Sequence, residues 1–187
     1  MTWIDTNLSE RVSQGDVYKD IELIESANEI DGNIVVSKIM FPLIVVLTQD
    51  CDLKFDYDRR YETKDKNENK LLLSVIVAPI YNFEHFVLGE HLSEIKFRME
   101  VFRKEATPYK NIKNNQNPRY HYLEFEKGTN IIKTGVIDFK HYFTVNILYL
   151  ESIRKTNFVC KIQPLFREDI SQRFASFLSR IGLPTSS

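Results

Sequence analysis

The sequence is poor in cysteine, glycine and proline. Two cysteines, Cys51 and Cys160, cannot build a disulfide framework, and no CxxC pair is present for a structural zinc site. The six glycines form neither a GxGxxG nor a GxxxxGK[ST] loop, so a phosphate-cradling loop is not expected. The HExxH motif of zinc proteases is absent too. We therefore expect no metal and no cofactor.

An excess of charge of one sign and a long apolar run are also missing. The chain has 25 Lys+Arg and 26 Asp+Glu, which excludes a strongly basic nucleic-acid binder and an acidic tail protein. Its longest apolar stretches, residues 41–47 and 71–80, are far shorter than the roughly 20 residues of a membrane helix. Residues 1–8 show no secretory signal. These features predict a cytoplasmic protein with free thiols and no membrane contact.

Apolar residues are nevertheless plentiful. Hydrophobic residues make up 43% and aromatic residues 12% of the 187 residues, enough for one folded domain with a core. Short strands are predicted at residues 17–26, 33–40, 41–49, 71–80, 120–125, 131–139, 142–150 and 158–163. Asp31-Gly32 is a hairpin turn signal. The continuous apolar run at 41–49 predicts a central, doubly buried strand that lies with 71–80 in a strongly curved antiparallel sheet.

Three segments interrupt this pattern. Residues 54–70, dense in charge, are predicted as a solvated insertion, and residues 83–118 as a helix and loop insertion whose loop is at 107–118. Residues 166–182 have helical apolar spacing and end in a glycine stop, which predicts a C-terminal helix packed on the sheet, with partner binding as the alternative. The pattern favours a mainly β, α+β fold with a strongly bent sheet or barrel.

The most unusual local feature is Gln49-Asp50-Cys51-Asp52, at the end of the most apolar run. Cys51 could be a nucleophile, although two flanking carboxylates would hold the thiol protonated. The carboxylates could instead bind a cation or a hydrogen-bonding partner, or the segment could be a rigid structural turn. We expect the turn, with Asp50 and Asp52 accepting hydrogen bonds from backbone amides or from an arginine, for which Arg119 and Arg173 are the candidates.

Four histidines are available for acid–base chemistry: His85, His91, His121 and His141. None forms the i, i+4 pair of a helical zinc site. With Asp50 and Cys51, His121 and His141 are the candidate catalytic residues, provided that the fold brings them together. Gln49, Asp50, Asp52, Arg119 and Arg173 are the candidate binding residues. Basic and aromatic residues alternate at 111–122, which favours single-stranded RNA as a second type of partner.

Several segments resemble the MazF/PemK toxins, which are SH3-like barrels with a C-terminal helix. The similarity lies in Gln14-Gly15-Asp16-Val17-Tyr18, in the run from Phe41-Pro42 to Thr48, and in residues 73–80, about half of the chain. The family's catalytic Arg corresponds to Phe41 and its catalytic Thr or Ser to Tyr81. Neither residue can stabilise phosphate charge as an Arg does, so the resemblance implies a lost ribonuclease centre. The Asp-Cys-Asp segment and residues 171–184 are also similar to uncharacterised bacterial proteins with a TQDCDL-type motif.

Two functions follow as hypotheses. The first is a non-catalytic, MazF-like SH3-type barrel that acts as a binding or regulatory module in a bacterial stress, toxin–antitoxin or phage-defence system, with another protein as its main partner and a homodimer as an open alternative. The second is an endoribonuclease whose acid–base groups have moved to Asp50, Arg119, His121 or His141. An enzyme requires these groups to converge in a cleft, whereas a binding module requires an exposed apolar or charged patch.

Overall fold

The structure of the protein is a computed structural model that describes residues 1–61, 68–125 and 134–180. Its strands are β1 (Ile4–Asp5), β2 (Asp16–Ile30), β3 (Asn33–Val46), β4 (Ser74–Asn82), β5 (Tyr120–Glu124), β6 (Thr134–Asp138), β7 (Phe143–Asn146) and β8 (Phe158–Ile162). They form one antiparallel sheet in the order β1-β8-β2-β3-β4-β6-β5, and β7 also pairs with β4. The prediction of a mainly β, antiparallel α+β fold is confirmed.

The helices are α1 (Asp50–Arg60), α2 (Phe83–Val87), α3 (Thr107–Lys113), α4 (Ile147–Asn157) and α5 (Pro164–Leu178), with short 3-10 turns at Glu68–Lys70, Ser93–Ile95 and Phe139–His141. Local chemistry explains their starts. The side chains of Asn82 and Asn146 accept the first free backbone N–H groups of α2 and α4. Proline occupies the first turn of α3 and α5, where its missing N–H is harmless. No helix in the described ranges is long and apolar enough to cross a membrane.

Strand β3 lies at the centre of the sheet and is buried on both faces in its second half. Ile44 and Val46 belong to one apolar cluster and Val45 to the other, because successive side chains of a strand point to opposite faces. Val45 pairs with Val17 of β2 and with Ala78 of β4. This confirms the predicted central strand and its pairing with the 71–80 run. Ile170 and Phe174 of α5 belong to the second cluster, so this helix packs on the sheet as expected.

The ends of the sheet are strands β1 and β5. The ladders among the described residues leave the sheet open rather than closed into a barrel. One isolated bridge joins Thr2 to Phe125, and the Thr2 amide donates to the carbonyl of Glu124 at 2.5 Å. The two edges of the sheet are therefore held close to each other at this one bridge.

Beyond the core, β2 and β3 form a long hairpin that we call the arm (residues 20–40). Its turn has Asp31 at φ 52° and Gly32 at φ 75°, the geometry of a tight two-residue hairpin turn. This confirms the turn predicted at Asp31-Gly32. The two strands predicted at 33–40 and 41–49 are one continuous strand: Pro42 stays in register opposite Asp20, whose backbone is left-handed at φ 56°.

Several predicted loops and strands are wrong. Residues 54–60 of the predicted solvated insertion are helical, since α1 buries the Asp56 carboxylate against Arg60 and the amide of Leu72. Part of the loop predicted at 107–118 is α3, and the strand predicted at 142–150 ends at Asn146, where α4 begins. The helix predicted at 83–104 is limited to α2 and one short 3-10 turn. The predicted helix stop at Gly182 and Pro184 lies outside the described residues.

The start of β2 is fixed by a buried carboxylate. Asp16 accepts hydrogen bonds from the Ser13 amide at 2.8 Å and from the Tyr18 hydroxyl at 3.2 Å. Burial raises the pKa of Asp16 to about 7 despite these bonds. A side chain at the preceding Gly15, whose φ is 81°, would strain the backbone and would contact Arg167. The Gln-Gly-Asp segment therefore has a structural role.

The two thiols should differ in reactivity. Cys51 is exposed, whereas Cys160 is buried in the core, where burial raises its pKa to about 12. We expect iodoacetamide at about pH 8 to label one cysteine in the folded protein and both after unfolding. Replacing Cys51→Ser should abolish labelling of the folded protein. Mass spectrometry measures the outcome, and labelling of native Cys160 at a rate close to that of Cys51 would contradict it.

Candidate functional site

A cleft of about 450 Å³ opens at the base of the arm. Residues 39–43 of β3 form one wall, residues 90–95 form the opposite wall, and Ile80, Tyr81 and Asn82 of β4 lie between them. The lining is largely apolar, with His85, Glu90 and Glu94 as polar groups. Clefts of this size and composition are typical of binding sites in proteins.

The cleft exists because β3 and β4 separate. Their ladder ends at the pair Ile44 and Pro79, and from Ile80 onward β4 pairs with β6 instead. Continuing the antiparallel register would place Pro42 opposite Tyr81. Across this ladder the amide of Leu47 donates to the carbonyl of Ile76 at 2.8 Å, so the alternating register turns the backbone nitrogens of Pro42 and Pro79 away from the opposite strand. The two strands diverge here, and the space between them becomes the cleft.

The opposite wall is fixed by a tight backbone contact at Gly89. A side chain at this position would lie 2.5 Å from the carbonyl oxygen of Met99, and its φ is 72°. The amide of Met99 donates to Gly89 at 3.3 Å, and the amide of Phe102 donates to Val87 at 2.8 Å. Only glycine allows the backbones at positions 89 and 99 to approach so closely. This contact brings the chain back alongside α2 and holds residues 90–95 in place.

The arm has two unpaired edges. Among the described residues, β2 pairs with β8 only at positions 16–18, and β3 pairs with β4 only at positions 44–46. The outer N–H and C=O groups of β2 beyond Tyr18 and of β3 before Ile44 therefore face no neighbouring strand. On β2 this edge is interrupted by the left-handed backbone of Asp20, at φ 56°, and by a register shift between Ile24 and Ser26. The β3 edge is regular from Asn33 to Phe41 and leads directly into the cleft.

One face of the arm is an apolar stripe. Cross-strand pairing places five apolar side chains on this face, Ile24, Ala27, Ile34, Val36 and Met40, together with the charged Glu22, Glu29 and Lys38. Ile34 is 78% exposed and Val36 is 46% exposed. Exposed apolar side chains that are contiguous, rather than scattered, indicate an interaction surface.

A polar network lies behind the floor of the cleft. Arg119 binds the fully buried carboxylate of Asp138 through two hydrogen bonds of 2.8 and 2.5 Å. The Nδ1 atom of His141 lies 3.0 Å from the hydroxyl of Tyr81 and 3.5 Å from Oδ2 of Asp138. His91 packs against the Tyr81 ring, with the ring centroids 4.6 Å apart. The network therefore connects β4, β5 and β6 to the wall of the cleft.

The network shifts the pKa values of its members. Burial lowers the pKa of His91 to about 4, and the nearby His141 and Arg119 add to this shift. Burial also lowers the pKa of His141, although Asp138 opposes the change. The hydrogen bonds that Arg119 donates to the Asp138 carboxylate raise the pKa of Arg119. Near neutral pH the two histidines are therefore neutral.

The structure separates the candidate catalytic residues. Asp50 does not meet either histidine. It forms an ion pair with Arg11 at 2.9 Å and accepts the Gln14 amide at 3.2 Å, which lower its pKa despite the effect of burial. The predicted partners Arg119 and Arg173 are therefore wrong for Asp50.

The rigid turn predicted for residues 49–52 is also wrong, because this segment is the start of α1. Gln49 precedes the helix without a side-chain cap, and Asp50 and Asp52 lie in the first turn, where acidic groups favour the helix dipole. Asp52 and Cys51 are exposed, and the Cys51 sulfur lies 3.9 Å from a carboxylate oxygen of Asp52. The sequence signal at this motif is that of a helix N-terminus.

The remaining candidates, His121 and Arg173, have structural surroundings. His121 is buried in β5, and burial lowers its pKa to about 3. Its Nδ1 atom has no hydrogen-bond partner among the described residues. Arg173 donates to the carbonyls of Asn115, Asn117 and Tyr120 at 2.5, 2.8 and 2.8 Å, and so fastens α5 to the loop before β5. Arg119 and His141 are the two candidate groups that the fold brings to one shared carboxylate, that of Asp138.

The described residues contain no group of three or more His, Cys, Asp and Glu side chains arranged to hold a metal ion. A scan against known protein families finds no matching family model for this chain. A search of curated proteins also finds no significant match. The geometry of the chain is therefore the basis for inferring its function.

Sequence reasoning missed the cleft and its supporting groups. Asp138 was not singled out, although it lies three residues before His141, a spacing that places both side chains at one short turn. Arg11 gave no signal as the partner of Asp50, because the two lie 39 residues apart. The Asp31-Gly32 turn followed by the consecutive apolar residues 34–36 was a sequence signal that could have indicated a protruding arm.

The depressed pKa of His121 predicts a specific pH dependence. An unfolded His takes up a proton as the pH falls below about 6.5, but the folded protein cannot protonate His121 until about pH 3. The stability linked to His121 is present above pH 6.5 and is lost as the pH falls toward 3, by up to about 1.4 kcal/mol per pH unit. In His121→Gln, the free energy of unfolding should therefore decline less steeply between about pH 6.5 and 4.5.

Urea unfolding at a series of pH values measures this difference. The comparison of slopes remains valid if the substitution lowers stability uniformly, since only the change with pH matters. Parallel curves for the wild type and His121→Gln would show that His121 titrates equally in both states and would refute the prediction.

Proposed function

We propose that the protein is a non-catalytic binding module that accepts an extended segment of another protein as an added β-strand along the free edge of β3. The observation that carries this proposal is the continuity of that edge with the cleft. Residues 33–41 present a regular edge that no described strand covers, and residues 39–43 of the same strand form a cleft wall. An extended chain following the edge would enter the cleft without a change of direction.

The two parts of this surface would contribute differently. Main-chain hydrogen bonds to β3 provide affinity for any extended polypeptide, and they require no particular side chains. Alternate side chains of the added strand would lie beside Ile34, Val36 and Met40 on the apolar face. An anchoring side chain would then fill the cleft between β3 and residues 90–95. The cleft therefore provides the specificity that main-chain pairing lacks.

The resemblance to MazF-like proteins supports a binding role. The positions that correspond to the family's catalytic residues, Phe41 and Tyr81, are both 6% exposed, and both line the cleft. Phe41 stacks on Phe143 with ring centroids 5.1 Å apart. A relation to the SH3-like barrels is part of this proposal, and the bridge between Thr2 and Phe125 supports it. We place the module in a bacterial stress, toxin–antitoxin or phage-defence system on the same resemblance.

An endoribonuclease is the second candidate, because Arg119 and His141 share Asp138. Both groups are already engaged, however: Arg119 in two bonds to Asp138 and His141 through Nδ1 with Tyr81. Asp50 and His121 lie in other clusters. The geometry therefore favours a network that stabilises the cleft over an acid–base pair.

The purified protein should leave single-stranded RNA intact. Incubation with a long unstructured RNA, followed by gel electrophoresis, is the measurement. Sequence-specific cuts that disappear in His141→Ala or Asp50→Ala would reverse the ranking of the two functions. Cuts that persist in both variants would indicate a contaminating nuclease, so the variants serve as controls.

Strand addition predicts that a neutral peptide of alternating Val and Thr, about nine residues long, binds to the arm. Hydrogen exchange should show slowed amide exchange in residues 33–41 when the peptide is present. The double variant Ile34→Ser/Val36→Ser should weaken binding at least about tenfold, since it removes the apolar contacts of the added strand. Fluorescence anisotropy of the labelled peptide measures the affinity.

A matched control is available on the same strand. Val35 is 49% exposed and points to the opposite face, so Val35→Ser should weaken binding less than the double variant. All three side chains are exposed, so these variants should keep the stability of the core, as measured by urea unfolding. Absence of binding by the wild type, or equal weakening in Val35→Ser and the double variant, would contradict the proposed surface.

A further inference from the structure

The arm differs in charge from the rest of the chain. It contains five carboxylates, Asp20, Glu22, Glu25, Glu29 and Asp31, and one basic residue, Lys38. Its net charge is therefore −4 in a chain with a net charge of −1, which leaves +3 for the remaining residues. The overall composition, which is nearly balanced, hides this concentration of negative charge in the arm.

The single lysine of the arm is itself neutralised. Lys38 pairs with Glu22 at 2.5 Å, and Glu25 accepts the hydroxyl of Ser37 at 2.8 Å. Glu29 and Asp31 lie exposed at the tip, and Glu90 and Glu94 continue the negative charge on the opposite wall of the cleft. Negative groups therefore lie at both ends of the path from the tip of the arm to the cleft.

The β3 edge also lacks the usual protection against strand pairing. Proteins block exposed edges with lysines, prolines or bulges, and from Asn33 to Phe41 this strand has one lysine and neither of the others. The long apolar edge is instead surrounded by carboxylates. A polyanionic chain would be repelled along its whole length, whereas a cationic chain would be attracted.

We propose that the natural occupant of the arm and cleft is a positively charged, extended protein segment with apolar residues at alternate positions. This inference rests on the proposed function and adds the chemistry of the partner. The apolar positions pack on the Ile34 and Val36 stripe, and lysine or arginine side chains reach the carboxylates at the tip and at the cleft. The same charge excludes the phosphate backbone of RNA from this surface.

Three peptides of about nine residues test the inference, each with Val at alternate positions and with Lys, Thr or Glu between them. We expect affinity to follow the order Lys, Thr, Glu, with at least about a tenfold difference in Kd between the first and the last at low ionic strength. The difference should shrink in about 0.5 M salt, which screens exposed charges.

Variants identify the carboxylates involved. Glu29→Gln/Asp31→Asn changes the arm from −4 to −2, and Asn-Gly keeps the tight turn. This double variant should raise the Kd of the Lys peptide at least about threefold and leave the Kd of the Thr peptide unchanged. Glu168→Gln, which removes an exposed carboxylate from α5, is the matched control and should have no effect.

The outcomes separate this inference from the proposed function. Equal binding of the three peptides, with protection at residues 33–41, would retain strand addition and overturn the cationic partner. Binding of none would overturn both. Sedimentation of the protein alone provides a further test, because a dimer that dissociates in Ile34→Ser/Val36→Ser would assign the edge to a second copy of the chain. Binding of single-stranded RNA that is lost in the same variant would likewise overturn the inference.

Discussion

The most important constraint in this structure is the separation of β3 from β4. Their ladder ends at the pair Ile44 and Pro79, although a continued register would bring Pro42 opposite Tyr81. Strand β4 then pairs with β6, so the central strand β3 loses its neighbour on one side while keeping β2 on the other. The cleft, the free edge and the exposed arm all depend on this single separation of strands.

The buried polar groups stabilise the two sides of this separation. Asp138, Arg119, His141 and Tyr81 hold β4 against β5 and β6 behind the cleft. On the other side of the sheet, Arg11 and Asp50 connect the chain before β2 to the start of α1. In both places the charged groups have partners within hydrogen-bond distance, which explains their burial better than a role in proton transfer.

The sequence predicted the strands whose signals are local. The Asp31-Gly32 turn, the apolar runs at 41–49 and 71–80 and the amphipathic C-terminal helix follow from short-range periodicity and turn chemistry. The start of α4 at Asn146 and the helical nature of 50–60 were missed, since mixed charged and aromatic residues there hide the apolar face. The site was missed for a different reason: Arg119 and Asp138, and likewise the two walls of the cleft, come together only through strand order, which no local pattern encodes.

The distribution of charge and apolar surface argues for recognition rather than chemistry. Behind Tyr81 the groups Arg119, Asp138 and His141 are engaged with one another, whereas the exposed groups around the cleft are apolar side chains, the carboxylates of Glu90 and Glu94, and His85. A two-stranded ribbon with exposed apolar residues on one face gains little stability by itself. Burying that face against an added strand would remove its apolar area from water and satisfy the outer N–H and C=O groups of β3. The arm is thus the part of the fold that gains most from a partner.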